Sequence, residues 1–426
     1  MAYTDPFPKP DTSWFTEARF GMFIHWGLYA LAARHEWVKN HERISDEDYR
    51  KYFEHFNPDL YDPVEWARTA KLAGMQYVVL TTRHHEGFSL WDTAYSDYKV
   101  TNTPYGKDLL DPFVKAFRAE GLRVGFYYSL LDWHHEHYTI DWRHPQRDNE
   151  DERARNAERD ITKYAEFMRN QVRELLTAHQ PDIIWYDFSF PGEDGKDHTH
   201  WESEKLYELT REICPDILIN NRLDLEGVGD FVTPEQFQPV AQPTDRAGNP
   251  LVWEACQTFS GSWGYYRDES TWKSVDLLLR MLVDGVSLNG NLLLNVGPTA
   301  RGTFDERALD RLYGMGEWMA VNGRSIYGCG AAPAEWLPPK DCRYTYNPRA
   351  GRLYVHIFAW PFRHLHLPGL KGKVRYAQFL HDASEVQFHK PHPDSNNSRV
   401  ASEDSLILEL PIEEPPVEIP VIELIL

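Results

Sequence analysis

A carboxylate stands directly behind an apolar run at 182–188, DIIWYDF. An unpaired charge buried in a core costs on the order of several kcal/mol. Asp187 therefore fits a strand end that a ligand can reach, with Trp185 beside it as a stacking wall; a cap on the following loop is the other reading of that position. Cleavage of a glycosidic bond needs two carboxyl groups, one as acid and one as nucleophile or base. Glu235, in GDFVTPEQF, and Glu254, in VWEAC, are the candidates for the second, with Glu36 and Glu86 behind them.

Other chemistries find less support. His84 and His85 are adjacent, so on a strand they point to opposite sides, and no HxH or carboxylate completes a metal set. Imidazoles can both donate to and accept from sugar hydroxyls, which suits the pair better than metal ligation, and one of the two is also compatible with a purely structural role. No G-x-S-x-G elbow is present, and no cysteine has a plausible histidine partner pattern.

The elements that must position these groups alternate. Short apolar runs at 20–26, 75–82, 122–129, 182–188, 216–222 and 291–296, with a less clear one at 251–257, read as strands buried on both faces. Between them, Asp62-Pro63 opens a helix that Gly74 closes, and Asp111-Pro112 opens one that Gly121 closes. A long charged segment predicts helix over 151–179. Ser270 or Thr271 starts another that runs to about Gly285, and Asp305 one that runs to about Asn322. Repeated strand–helix units predict parallel pairing, and their number over residues 1–335 predicts an α/β fold of the TIM-like (β/α) barrel kind. In such a barrel the reactive groups sit at the C-terminal strand ends. Those ends carry His25-Trp26, His84-His85, Tyr127-Tyr128, Trp185 with Asp187, Asn220 to Arg222, and Glu254. Residues 336–426 change to short alternating runs separated by turns such as PDSNNS, which predicts a C-terminal antiparallel β-sandwich that braces the barrel.

Composition narrows the partners. The formal charge of −20 disfavours nucleic acid and acidic membrane surfaces, and no stretch reaches the length of a membrane span. Aromatic residues make up 14% of the chain, 15 of them Trp, which suits stacking on sugar faces as well as core filling. Cys214, Cys256, Cys329 and Cys342 lack metal-ligand spacing and read as buried thiols. With no signal-peptide pattern at the start, a cytoplasmic location is expected. The oligomeric state stays open, a homo-oligomer included.

At these residues the sequence resembles the family-29 glycoside hydrolases, the α-L-fucosidases, over nearly its whole length. The matching stretches include RFGMFIHWGLYA, AGMQYVVLTTRHHEGFSLWDT, GLRVGFYYSLLDW, PDIIWYDF, CPDILINNR, GDFVTPEQ, WEACQTFSGSWGY and NLLLNVGPTARG. The resemblance implies a barrel followed by a β-sandwich, a retaining mechanism, a fucosylated oligosaccharide as substrate, and neither cofactor nor metal. It implies Asp187 as nucleophile, with a covalent fucosyl-enzyme. His25, Glu36, Trp37, His84, His85, Tyr127 and Trp185 would hold the sugar, and Arg222 would keep Asp187 ionised. Phe23 and Trp263 would wall the pocket near the C5 methyl group. Glu235 is favoured as acid/base over Glu254. Two positions depart from the family pattern: Phe188 and His35 stand where it often has glycine, and both bear on the leaving-group side. A related sugar such as L-galactose, a non-catalytic sugar-binding protein on the same scaffold, and a metal-dependent hydrolase are the alternatives.

Overall fold

The computed structural model describes residues 3–390 and 402–426; the PDSNNS stretch at 393–398 lies outside them. Seven strands form one parallel sheet: β1 (Phe20–Ile24), β2 (Tyr77–Arg83), β3 (Arg123–Ser129), β4 (Ile183–Asp187), β5 (Leu218–Ile219), β6 (Glu254–Thr258) and β7 (Asn291–Val296). Their order is β5-β4-β3-β2-β1-β7-β6. Between the two outer strands runs the segment 231–235, which bridges in parallel to Asn220 on one side and to Trp253 and Cys256 on the other. Asp230 N–H donates to Ile219 at 2.7 Å, and Val232 N–H to Val252 at 2.9 Å. This irregular eighth stave closes the barrel. It was not legible as a strand, because FVTPE is short and Pro234 has no N–H for a ladder.

The apolar runs are buried on both faces for the reason expected. Val78 and Leu80 pack outward under the helices, whereas Tyr77 and Val79 pack into the barrel interior with Phe23, Trp185, Leu218 and Leu293. A short helix, Ser13–Ala18, plugs the lower end: the Phe15 ring lies 5.4 Å from Tyr77 and 4.9 Å from Phe231.

Helix ends follow their caps, with three corrections. Asp62 caps Pro63–Leu72 as expected. The next helix, Leu110–Ala119, begins before Asp111, because Asp108 takes the free N–H groups of Leu110 and Asp111 at 2.7 and 2.9 Å. The charged segment expected as one helix is broken: Asp160 caps a separate helix, Ile161–His179, after a turn of 3-10 helix at Arg155–Glu158. A side chain that bonds its own backbone competes with helix continuation. The helix expected to start at Ser270 or Thr271 starts at Val275 and runs to Ser287. Glu269 binds the Thr271 N–H and hydroxyl at 2.7 and 2.6 Å and holds that stretch as a turn, so Ser274 becomes the cap.

From Cys342 onward the strands are antiparallel. One sheet has the order β11-β14-β9-β8 and the other β10-β13-β12, from β8 (Cys342–Asn347), β9 (Arg352–Ile357), β10 (His364–Leu367), β11 (Tyr376–Phe379), β12 (Phe388–His389), β13 (Leu406–Glu409) and β14 (Val421–Ile425). Leu353, Val355 and Leu424 of the first share a core with Leu365, Leu367 and Leu408 of the second. The sandwich is tied to the barrel by the Trp318 indole, which donates to Ile419 O at 3.2 Å, and by Arg343 to Asp284 at 2.6 Å.

Candidate active site

Asp187 ends β4 opposite Ser129 of β3, and its side chain turns into the barrel mouth. It is 8% exposed. Oδ2 accepts from the Tyr127 hydroxyl at 2.8 Å and Oδ1 from Arg222 Nη1 at 2.7 Å. Burial pushes its pKa up, but the Arg222 charge, aided by both hydrogen bonds, outweighs it, and the carboxyl titrates below its ordinary value.

Arg222 is held from behind. Nε donates to Thr233 Oγ1 at 2.9 Å, Nη2 to the Thr233 carbonyl at 3.1 Å, and the guanidinium lies 4.6 Å over the Trp185 ring. The same Nη1 that holds Asp187 also donates to Glu235 Oε2 at 2.7 Å. One nitrogen thus spans two carboxyls, whose oxygens are at most twice 2.7 Å apart. Glu235 sits on the closing segment with its side chain 42% exposed. Burial at the mouth raises its pKa, Arg222 lowers it and Asp187 raises it, with a net upward shift. Two neighbouring carboxyls are therefore driven in opposite directions.

Glu254 is elsewhere. It is the first residue of β6, opposite Asn291 at the start of β7, and fully buried. Its oxygens accept from the Trp185 indole N–H at 3.1 Å and from the Tyr77 hydroxyl. Burial pushes it up to about 7. The strand-end position expected for it is corrected: it lies a layer below the mouth, behind Trp185.

The histidines are neutral acceptors and donors. Asn295 Nδ2 donates to the Trp263 carbonyl at 2.6 Å, so its Oδ1 faces His25 Nδ1, also at 2.6 Å, and that nitrogen carries the proton. Ser129 Oγ donates to Leu131 O at 3.0 Å, so it accepts from His85 Nδ1–H at 2.6 Å. Both rings are left with a bare Nε2. Burial lowers His25 to about 4 and His85 to about 3, and drives His84 down as well. His84 Nδ1 is buried without a partner.

Phe23, His25, Trp37, His84, His85, Tyr127, Trp185, Asp187, Arg222, Glu235 and Trp263 line one tight cavity of about 30 Å³, together with Phe188 and Cys256. Glu36 lies at the rim, where Oε2 accepts from Ser262 Oγ at 3.2 Å and from the Trp263 and Gly264 amides at 3.1 and 2.8 Å, fixing the Trp263 loop. Asn295 was missed from the sequence, although a polar residue inside NLLLNV was a usable signal. Both departures from the family pattern have left-handed backbone, φ +97° at His35 and +80° at Phe188, a conformation glycine adopts freely. Among the described residues no group of three or more His, Cys, Asp or Glu is placed to hold a metal ion.

Two carboxyls within reach of one sugar carbon, at the mouth of a (β/α) barrel, are the equipment of a glycoside hydrolase. The family model described as Alpha-L-fucosidase matches residues 5–324, and the chain belongs to that family. It is 45% identical to the solved structure of Alpha-L-fucosidase isoenzyme 1 from Paenibacillus thiaminolyticus, with a TM-score of 0.90 over 97% of this chain and 98% of that one. It is 27% identical to an alpha-L-fucosidase from Bacteroides thetaiotaomicron trapped as a covalent intermediate with 2-fluoro-fucosyl fluoride in a mutant, at a TM-score of 0.84 over 99% and 98% of the chains. Among curated relatives, tissue alpha-L-fucosidase of Mus musculus is 29% identical, covering 83% of this chain and 79% of that protein.

Proposed function

We propose that the protein removes a terminal α-L-fucose from fucosylated oligosaccharides or glycoconjugates with retention of configuration, with Asp187 as nucleophile and Glu235 as acid/base. One observation carries the reading: Arg222 Nη1 lies 2.7 Å from a carboxyl oxygen of each. Retaining enzymes hold their carboxyls about 5–5.5 Å apart and inverting ones about 6.5–9.5 Å, which leaves room for water. The bound set by a shared nitrogen suits the first.

In the first step Asp187 Oδ attacks the anomeric carbon as the bond to the leaving oxygen breaks, and protonated Glu235 gives that oxygen its proton. The product is an ester between fucose and Asp187. In the second step Glu235, now ionised, takes a proton from water as the water oxygen attacks the same carbon, releasing fucose and the Asp187 carboxylate. The electrostatics drive the switch. Esterification removes the negative charge that raises the Glu235 pKa while Arg222, which lowers it, remains. Glu235 is thus an acid before the ester forms and a base after it. The bare Nε2 atoms of His25 and His85 accept from sugar hydroxyls, and Phe23 and Trp263, with ring centroids 5.9 Å apart, offer an apolar wall to the C5 methyl group.

A cytoplasmic location is part of the proposal, supported by four cysteines that are all unpaired and buried. The test is incubation with an aryl α-L-fucoside in the presence of EDTA, with Asp187→Ala and Glu235→Ala alongside. Release that is lost in both, with azide restoring Glu235→Ala as an α-fucosyl azide, supports the assignment. No release from the aryl fucoside or from a panel of fucosylated oligosaccharides would leave a sugar-binding protein.

A further inference from the structure

In a chain of net charge −20, an arginine without a carboxylate partner beside the reaction cavity is unexpected. Among the described residues the Arg143 guanidinium makes no ion pair, and its Nε is buried without a hydrogen-bond partner. It is seated on aromatic faces instead, with Cζ 3.9 Å from the Trp142 ring, 5.1 Å from Phe188 and 5.7 Å from Trp37. Its backbone is pinned: the N–H donates to Asp141 at 2.7 Å, and the carbonyl accepts from Asn40. Stacking occupies the two faces of a guanidinium and leaves its in-plane donors free.

Arg143 lines an open cleft of about 450 Å³ that also contains Glu235. A proton donor must reach the leaving oxygen, so the leaving sugar departs along the Glu235 side. Of the carboxylates lining that cleft, Glu235 is paired with Arg222, and Glu36 is turned onto the Trp263 loop, its Oε2 held by Ser262 and two backbone amides and its Oε1 buried without a hydrogen-bond partner. Arg147, near enough for its charge to act against that of Arg143, donates to the Asn40 side chain and the His144 carbonyl at 3.2 and 2.9 Å and adds positive charge. Arg143 feels the charge of Asp141, which is itself ion-paired with Lys196, and faces the leaving group with no ion pair of its own among the described residues.

We infer that Arg143 is a recognition point for a negatively charged aglycone, a sugar carrying a carboxylate or a sulfate ester next to the terminal fucose. The inference rests on the fucosidase reading and names its substrate class. A pre-oriented guanidinium fork matches the paired oxygens of either anion. No bond is made or broken at Arg143; it binds.

The test compares α-L-fucosyl disaccharides, in each linkage, whose second sugar is galactose, galacturonic acid or 6-O-sulfogalactose. The wild type is expected to cleave at least one charged substrate with kcat/KM at least about tenfold above its galactose counterpart at low ionic strength, with the advantage shrinking at high salt. The two charged arms distinguish carboxylate from sulfate. Arg143→Gln should remove the charged-to-neutral preference, and Arg143→Lys, which keeps the charge but not the fork, should retain part of it. Equal rates on all three substrates in the wild type would overturn the inference, whether or not the variants fold, as would a preference unchanged in both variants. Cleavage of the neutral substrate without preference leaves the fucosidase reading standing; cleavage of none overturns both.

Discussion

The Trp185 indole donates to Glu254 Oε1 at 3.1 Å, so the ring that walls the sugar cavity hangs from a carboxyl beneath it. That carboxyl also accepts from Tyr77 and meets no solvent. Its place in the molecule is that of a support, and its removal should be felt in stability.

Glu254→Ala strands two buried donors, at about 1–3 kcal/mol each. Thermal or denaturant unfolding should register that loss, whereas Glu254→Gln, which can still accept from Trp185, should lose less. Azide should not restore Glu254→Ala. Restoration there, with none in Glu235→Ala, would exchange the two roles.

The pH profile of kcat/KM should be a bell whose acid limb belongs to Asp187, below its ordinary value of 3.8, and whose alkaline limb belongs to Glu235, above 4.5. Arg222 lowers both groups, so Arg222→Gln should move both limbs to higher pH and cut kcat/KM by on the order of 10²-fold or more. An acid limb that stays in place in this variant would mean that Arg222 does not hold Asp187 ionised.

Phe188 has φ +80°, where any side chain is strained. Its ring packs 5.2 Å from Trp37 and 4.9 Å from His85. Phe188→Ala loses the packing and keeps the strain; Phe188→Gly loses both. Glycine should therefore be the more stable of the two by about 1 kcal/mol in chemical denaturation. The reverse order would show that the backbone relaxes once the ring is gone.

Stability should fall on acidification below about pH 6.5. Burial lowers His25 to about 4 and His85, His144 and His356 to about 3. A depressed folded-state pKa contributes stability above the unfolded value, and that stability is lost as pH falls toward the folded one. Glu86 and Glu254, raised to about 7 by burial, act oppositely and gain stability as pH falls from about 7 to 4.5. Four imidazoles with the wider shifts outweigh two carboxyls. Calorimetry from neutral pH to pH 4.5 should show a falling Tm; a rising one would mean that the buried carboxyls dominate.

Much of this was legible because burial on both faces leaves a plain signature. MQYVVLTT and DIIWYDF read as barrel strands from the sequence alone, and Asp187 was exposed as a reactive group by the apolar company it keeps. Depth was not legible. Glu235 and Glu254 are both carboxyls near strands, and only the register of β6, which starts at Glu254, separates mouth from interior. Helix starts were ambiguous wherever several polar residues compete to cap, as Ser270, Thr271 and Ser274 do. Asn295 escaped because a single amide in an apolar run has many explanations, and the one that applies, its bond to His25, joins residues far apart in sequence.

The eighth stave gives the two carboxyls unequal mechanical histories. Asp187 belongs to a strand laddered into β3 and β5, while Glu235 rides a stretch attached through isolated bridges and interrupted by Pro234. Lengthening or trimming the connection between β5 and β6 alters the proton donor's approach without loosening the nucleophile. Evolution can therefore retune which leaving groups are served while the bond-forming half of the machine stays fixed.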